Sequence, residues 1–216
     1  MKSSTQPPAQ SDGPLREGLP GRRISGGSRS SACLTSGQPV VALSPTNHLG
    51  VTMRDNPAVY FAMPATTAHT VEFRLRDTAG TSVYQTVLDT DEQALVKVQL
   101  PEQSLARDQR YQWHFSVVCD AQDRSQNIVL TGWLRRVSSE LSLGQSEVSA
   151  AELALSAQLE LAAAYQTAGL WSDAIAVVSD VYRQYPNNEA AHRAWLQLLR
   201  SLALESVLEP SLAASY

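Results

Sequence analysis

The side chains able to do chemistry are few, and their spacing argues against a reaction centre. His48, His69, His114 and His192 never fall at metal-ligand spacing, and no Cys-x-x-Cys is present to hold zinc or run a thiol exchange. The chain contains no Gly-x-Ser-x-Gly elbow, no His-Glu-x-x-His and no phosphate loop ending in Gly-Lys. The carboxylate pairs Asp89/Asp91 and Asp120/Asp123 flank turn residues and read as turn formers, not as acid–base dyads or calcium ligands. The expectation is no catalytic residue, no metal ligand and no cofactor.

Binding chemistry is better represented. Arg22, Arg23 and Arg29 lie in the glycine-rich stretch Pro20-Gly21-Arg22-Arg23-Ile24-Ser25-Gly26-Gly27-Ser28-Arg29, where guanidinium groups and backbone amides could hold an anion. A solvated tail is the default against which that reading stands. Trp133 sits in Gly132-Trp133-Leu134-Arg135-Arg136, either as an exposed anchor beside Arg135 and Arg136 or, the preferred reading, as a core Trp that the arginines cover. His114 is expected on the outer face of a strand as a plain surface histidine. Trp171 and Trp195 read as packing residues between helices.

Two cysteines, Cys33 and Cys119, fit either one disulfide in an exported protein or two buried thiols in a cytosolic one. The 216 residues carry a formal net charge of −4, which argues against a nucleic-acid partner because such a partner needs a basic face. Lys2 and Lys97 are the only lysines, so the remaining bases are arginines. No apolar run approaches the roughly 20 residues of a membrane span. The opening Met1-Lys2-Ser3-Ser4-Thr5-Gln6-Pro7-Pro8 lacks the apolar core of an export signal.

The elements that must position these residues divide the chain. Residues 1–38 are rich in Ser, Gly, Pro and Gln and are expected to be disordered. From 39 to 137 the apolar period is two. Val71, Phe73 and Leu75 alternate with Glu72, Arg74 and Arg76; Asp77-Thr78-Ala79-Gly80 is a hairpin turn; Tyr111, Trp113, Phe115, Val117 and Cys119 share one face. With 39–43, 58–63, 81–88, 95–100 and 127–137 this makes about seven strands in roughly a hundred residues, the pattern of an immunoglobulin-like or fibronectin-like β-sandwich. Leu105, six positions before Tyr111, has the spacing of a fibronectin-type tyrosine corner.

After a linker at 138–149 the period turns helical over 150–208, ahead of a short tail at 209–216. Gly169 closes the first helix, Ser172 with Asp173 starts the second, and Asn188 with Glu189 starts the third. Leu161, Ala162, Tyr165, Gly169, Trp171, Ala174 and Pro186 follow the tetratricopeptide spacing for one repeat and half of another. So short a stack leaves apolar faces uncovered, and it is expected to dock on the sandwich.

Taken in order, these motifs resemble a family of uncharacterised proteins found mainly in cyanobacteria, the domain of unknown function 928. The resemblance covers about 20–208. It rests on Pro20-Gly21-Arg22-Arg23 with Gly26, Gly27, Arg29 and Cys33, on Ala42-Leu43-Ser44-Pro45 and Asn47, and on Glu72-Phe73. It continues through Tyr111-Gln112-Trp113-His114-Phe115, Cys119, Arg124-Ser125 and Gly132-Trp133, then Tyr165, Gly169, Trp171, Asp173, Ala174 and Trp195 to Ser201. Members often carry an export signal, which implies an oxidising compartment for Cys33 and Cys119. This chain departs from them in its polar start. An export signal upstream of it implies the periplasm or cell envelope; the start as it stands implies the cytoplasm. The family supplies no activity and no functional residue.

Cys119 ends the inward face of its strand and Cys33 precedes the first strand, so a bond between them would tie the arginine–glycine segment to the sandwich. The functional expectation is a non-enzymatic protein-interaction or structural module of the periplasm or cell envelope. The alternative is a carbohydrate- or small-ligand-binding sandwich with a glycan partner, and a hydrolase stands third.

Overall fold

The computed structural model describes residues 19–26, 33–90, 94–138 and 154–208. Its strands are β1 (Val41–Ala42), β2 (Leu49–Thr52), β3 (Ala58–Ala62), β4 (Thr70–Asp77), β5 (Ser82–Asp89), β6 (Leu95–Gln99), β7 (Arg110–Val118) and β8 (Ile128–Arg136). They form a three-stranded sheet, β1-β3-β6, facing a five-stranded sheet, β2-β8-β7-β4-β5. All pairings are antiparallel except β2 with β8. The chain crosses from one sheet to the other between β3 and β4, returns for β6, and crosses again to β7, the partition of an immunoglobulin or fibronectin sandwich.

Period-two patterning explains the layer between the sheets. Val71, Phe73 and Leu75 of β4 and Tyr111, Trp113, Phe115 and Val117 of β7 are all buried. They meet Val59 and Phe61 of β3 in one cluster. Phe61 stacks on Phe115, with ring centroids 3.8 Å apart, and meets the Trp113 ring edge-on at 5.4 Å. Trp113 lies across Gly132, where a β-carbon would come within 2.3 Å of its ring, so β8 needs glycine at that point. The tyrosine corner is formed: the Ala106 amide donates to the Tyr111 hydroxyl at 3.0 Å, and Leu105 is buried.

The helices α1 (Leu155–Thr167), α2 (Trp171–Gln184) and α3 (Glu189–Ser201) lie on the other side of the three-stranded sheet. β3 is therefore buried on both faces: Phe61 points into the sandwich, while Ala58 and Tyr60 meet the helices. α2 is enclosed, with Ser172 through Ser179 all buried. Polar contacts fix its position. Asp173 accepts from Thr52 Oγ1 at 2.7 Å and from the Met53 amide at 2.8 Å. Asp180 accepts from the Tyr60 hydroxyl at 3.0 Å and from Lys97 Nζ at 2.8 Å. The expected docking of the helical segment is thus present.

Gly169, at φ +73°, ends α1, with the Leu170 amide bonded back to the Tyr165 carbonyl. Asn188 caps α3 by accepting from the Ala190 and Ala191 amides. Ser172 does not cap α2. Leu170 occupies that position without a side-chain bond, and Ser172 lies two residues further on, in the first turn, its hydroxyl against Gly50 of β2. Asp173 serves the sandwich and not the helix start alone. β2 itself was not among the expected strands.

The expected disorder of the N-terminal segment does not hold for residues 19–26 and 33–38. Arg22 pairs with Thr131 of β8 and Ile24 with Val41 of β1, so the segment straps one sheet to the other. Leu34 pairs with Thr66. Composition registers only side chains, whereas this strap is held by its backbone: Arg22 N to Thr131 O at 2.9 Å, Thr131 N to Arg22 O at 2.9 Å, and Ala42 N to Arg23 O at 2.7 Å. Cys33 and Cys119 are bonded, with Cα atoms 5.2 Å apart. Residues 1–18, 27–32, the linker from 139 to 153 and the tail 209–216 lie outside the described residues, as does Asp91.

Candidate binding face on the five-stranded sheet

The alternation that buries one face of β4, β7 and β8 presents the other. Register then sets the rows. Arg74 lies opposite His114, which lies opposite Thr131; Arg76, Gln112 and Trp133 form the next row; Glu72, Ser116 and Val129 form the row on the other side. Arg110 pairs with Arg135 at the end of the face. A shallow depression of about 160 Å³ opens between Glu72, Arg74, Arg76, Gln85, His114, Ser116 and Val129.

This face is cationic and short of acceptors. Glu72 is engaged by Arg124 at 2.9 Å, and Arg74 Nε donates to Gln85 Oε1 at 3.2 Å. Among the described residues, no carboxylate pairs with Arg74, Arg76, Arg110 or Arg135. Arg76 Nε, His114 Nδ1 and Arg135 Nε are buried atoms with no hydrogen-bond partner among the described residues. Burial first, then the nearby charges of Arg76 and Arg74, lower the His114 pKa below the ordinary 6.5 and keep the imidazole neutral at pH 7. A buried polar atom without a partner costs about 1–3 kcal/mol, and a bound anion would recover that cost at the two arginine donors.

The sequence candidates separate on this frame. Trp133 is not a core residue. It lies on the outer face, half-buried under the strap, and its Nε1 donates to the Pro20 carbonyl at 2.9 Å. Arg135 belongs to the cationic face. Arg22 pairs through its backbone beside Thr131 and leaves its side chain exposed. Arg23 has a structural use: its Nη1 donates to Leu202 O at 2.5 Å and to Ser44 O at 3.1 Å, so it caps the end of α3. Arg136 is likewise occupied, with Nη1 donating to Leu105 O at 3.1 Å in the tyrosine-corner loop. Arg29 lies outside the described residues. Arg74, Arg76 and Arg110 went unnoticed as site residues. The signal for Arg74 and Arg76 was the wet side of β4, where they alternate with core residues, and for Arg110 the wet side of β7.

Other groups offer less. Asp123 accepts from the Ser125 amide and Asp120 from the Gln122 amide, so both act as turn formers. A larger cavity of about 710 Å³ is lined by His69 and Asp89 among others. Two of its hydroxyls are already used, Thr66 on the Cys33 carbonyl and Thr90 on the Ala68 carbonyl. Among the described residues, no group of three His, Cys, Asp or Glu side chains could hold a metal ion, and no helix is long and apolar enough to cross a membrane.

A family model described as Domain of Unknown Function (DUF928) matches residues 24–212. Among solved structures, the chain is similar to the fn3 domain of human collagen alpha-1(XX) chain at 15% identity and TM-score 0.33, covering 57% of this chain and 98% of that one. It is also similar to a DUF3244 family protein with an immunoglobulin-like β-sandwich fold from Bacteroides vulgatus, at 14% identity and TM-score 0.30, covering 53% of this chain and 96% of that one. No curated protein matches the chain.

Proposed function

Since the chain belongs to the family described as Domain of Unknown Function (DUF928), whose model spans residues 24–212, we propose a role read from its surface: a non-enzymatic interaction module that binds an acidic protein segment. The observation that carries this reading is the set of buried nitrogens without a partner among the described residues, the donors Arg76 Nε and Arg135 Nε together with His114 Nδ1, on one face with Arg74 and Arg110. Arginine suits carboxylates through its planar fork of donors. A protein partner is favoured over a glycan because Val83, Val87 and Val129 are exposed on the same face. Trp133, the aromatic a sugar ring would stack on, is covered by Pro20.

The helical part is read as a tetratricopeptide-type pair with one further helix, in a supporting role. α2 is enclosed between sheet and helices and keeps no open groove for a peptide. The periplasm or cell envelope is the proposed location, on the strength of the Cys33–Cys119 bond, since disulfides persist in oxidising compartments. Fractionating cells that carry a tag on Tyr216 tests the location; a tag found wholly in the cytosol overturns it.

Binding is tested with the full chain titrated by a poly-glutamate peptide and by a polyuronate of matched charge, following the imidazole resonances of His114 by NMR. A bound carboxylate would raise the His114 pKa, and Arg74→Glu with Arg135→Glu should weaken peptide binding at least tenfold. Unmoved His114 resonances with the peptide, or stronger binding of the polyuronate, would overturn the reading.

A further inference from the structure

The free long edge of the five-stranded sheet carries an inference beyond the acidic-partner reading, sharing Arg76, Val83 and Val87 with it but needing no ligand. β5 pairs with β4 and with no other strand among the described residues. It is eight residues long, Ser-Val-Tyr-Gln-Thr-Val-Leu-Asp, uncharged up to Asp89 and free of proline. Edge strands are ordinarily guarded by charge, proline or brevity, because their outward amides and carbonyls recruit another strand. Here the guard is one irregularity, where the register steps from Leu75–Tyr84 to Arg76–Ser82. Tyr84 to Asp89 remain regular.

Which backbone groups are free follows from the ladder. Thr90 N donates to His69 O at 3.0 Å, on the β4 side. Because bonding alternates along an antiparallel pair, Leu88, Thr86 and Tyr84 bond to β4, while Gln85, Val87 and Asp89 turn their N–H and C=O groups outward.

We propose that β5 pairs antiparallel with β5 of a second copy of this chain, about a twofold axis at Thr86, joining the two five-stranded sheets into one. In that register Gln85 of each copy exchanges backbone hydrogen bonds with Val87 of the other. On the inner face Tyr84 meets Leu88 of the second copy, and both are half-buried apolar residues already packed against the core at the end of the sandwich. On the outer face Asp89 comes opposite Val83 of the second copy. About one strand spacing (~4.8 Å) further on lies that copy's Arg76. Arg76 is the guanidinium whose Nε has no partner among the described residues, and the twofold supplies the acid–base pair twice. Val87, at 56% the most exposed of the large apolar residues, is covered by the same contact. A second copy is favoured over a foreign strand because the edge is complementary to itself in both apolar pattern and charge.

The contact is at the small end of specific interfaces, roughly 1,200 Å² or less, so the dimer should dissociate in the micromolar range. Sedimentation of the full, oxidised chain across roughly 1–300 µM should show a monomer–dimer equilibrium. Val87→Lys should raise the dissociation constant at least tenfold, as should Asp89→Arg, with Arg76→Asp restoring association to the Asp89→Arg variant. Thr86→Cys, sitting on the axis at a non-bonded pair, should give a disulfide-linked dimer under mild oxidation, while Val129→Cys, exposed on the outer face away from the axis, should not. A chain that stays monomeric over that range overturns the proposal. So does a dimer indifferent to Val87→Lys, or a Thr86→Cys that cross-links no more than Val129→Cys. No ligand enters these measurements, so their failure leaves the acidic-partner reading untouched.

Discussion

Reducing the Cys33–Cys119 bond should cost several kcal/mol without dismantling the fold, because the bond acts chiefly on the unfolded chain. It closes a loop of 86 residues. Chain-entropy bookkeeping values such a loop at about 4.5 kcal/mol, with real cases often lower. The native side loses little. Thr66 Oγ1 still donates to the Cys33 carbonyl at 2.8 Å, the Thr67 amide to the same oxygen at 2.9 Å, and the Thr35 amide to Ala65 O at 2.9 Å. For a chain of this size about 1 kcal/mol corresponds to roughly 2–4 °C, so the reduced protein should melt up to about 9–18 °C lower. Urea unfolding of oxidised and reduced protein measures this directly. The reduced protein should also show a steeper transition, since its unfolded state exposes more surface. Superimposable curves would refute the reasoning, as would two free thiols titrated in denatured protein that was never exposed to reductant.

Four further outcomes are expected. Burial lifts the Asp173 pKa above the ordinary 3.8 against the opposing bonds from Thr52 and Met53, so the folded protein holds a proton the unfolded chain has released. That contribution to stability is complete below 3.8 and is lost as pH rises through the folded value; the slope should vanish in Asp173→Asn, measured by urea midpoints across that range. Arg23→Ala should cost about 1–3 kcal/mol by uncapping α3 at Leu202, with faster amide exchange in the last turn of that helix as the specific readout. Gly132→Ala should cost about 1–3 kcal/mol through collision with Trp113 and shift the tryptophan fluorescence. Residues 154–208 expressed alone should fail to unfold cooperatively, since Val178, Val181 and Tyr60 share one cluster across the docking surface; a stable monomeric helical piece would count against the packing argument.

What could be read from the sequence depended on whether a segment has one wet face. β4, β7 and β8 alternate cleanly because one side meets solvent, and their strands were legible along with the tyrosine corner. β3 was recognisable as a strand, but Ala58, Tyr60 and Phe61 do not say that a helix covers the second face. β2 escaped because Leu-Gly-Val-Thr is four residues long and its glycine answers to Ser172 on α2, over a hundred residues away. The strap at 19–26 escaped because backbone ladders leave little trace in composition. Trp133 was misplaced even though the signal was local. Ile128, Leu130 and Leu134 occupy even positions on the buried side, so an odd-numbered neighbour had to face outward.

The same parity shows why the candidate face became visible only with the fold. Arg74, His114 and Arg135 sit on three strands, and nothing in their spacing along the chain unites them. Register makes them neighbours, and the rest of the architecture removes the competing surfaces. The three-stranded sheet is covered on one side by the core and on the other by helices. α2 is enclosed, and the strap covers Trp133 and extends the ladder on β8 at Thr131. The outer face of the five-stranded sheet and its β5 edge remain open. Val83, Val87 and Val129, the exposed large apolar residues among those described, all lie there. Scattered exposed valines need no explanation. Three on one face, beside buried nitrogens without partners among the described residues, are the ground on which the proposed contact rests.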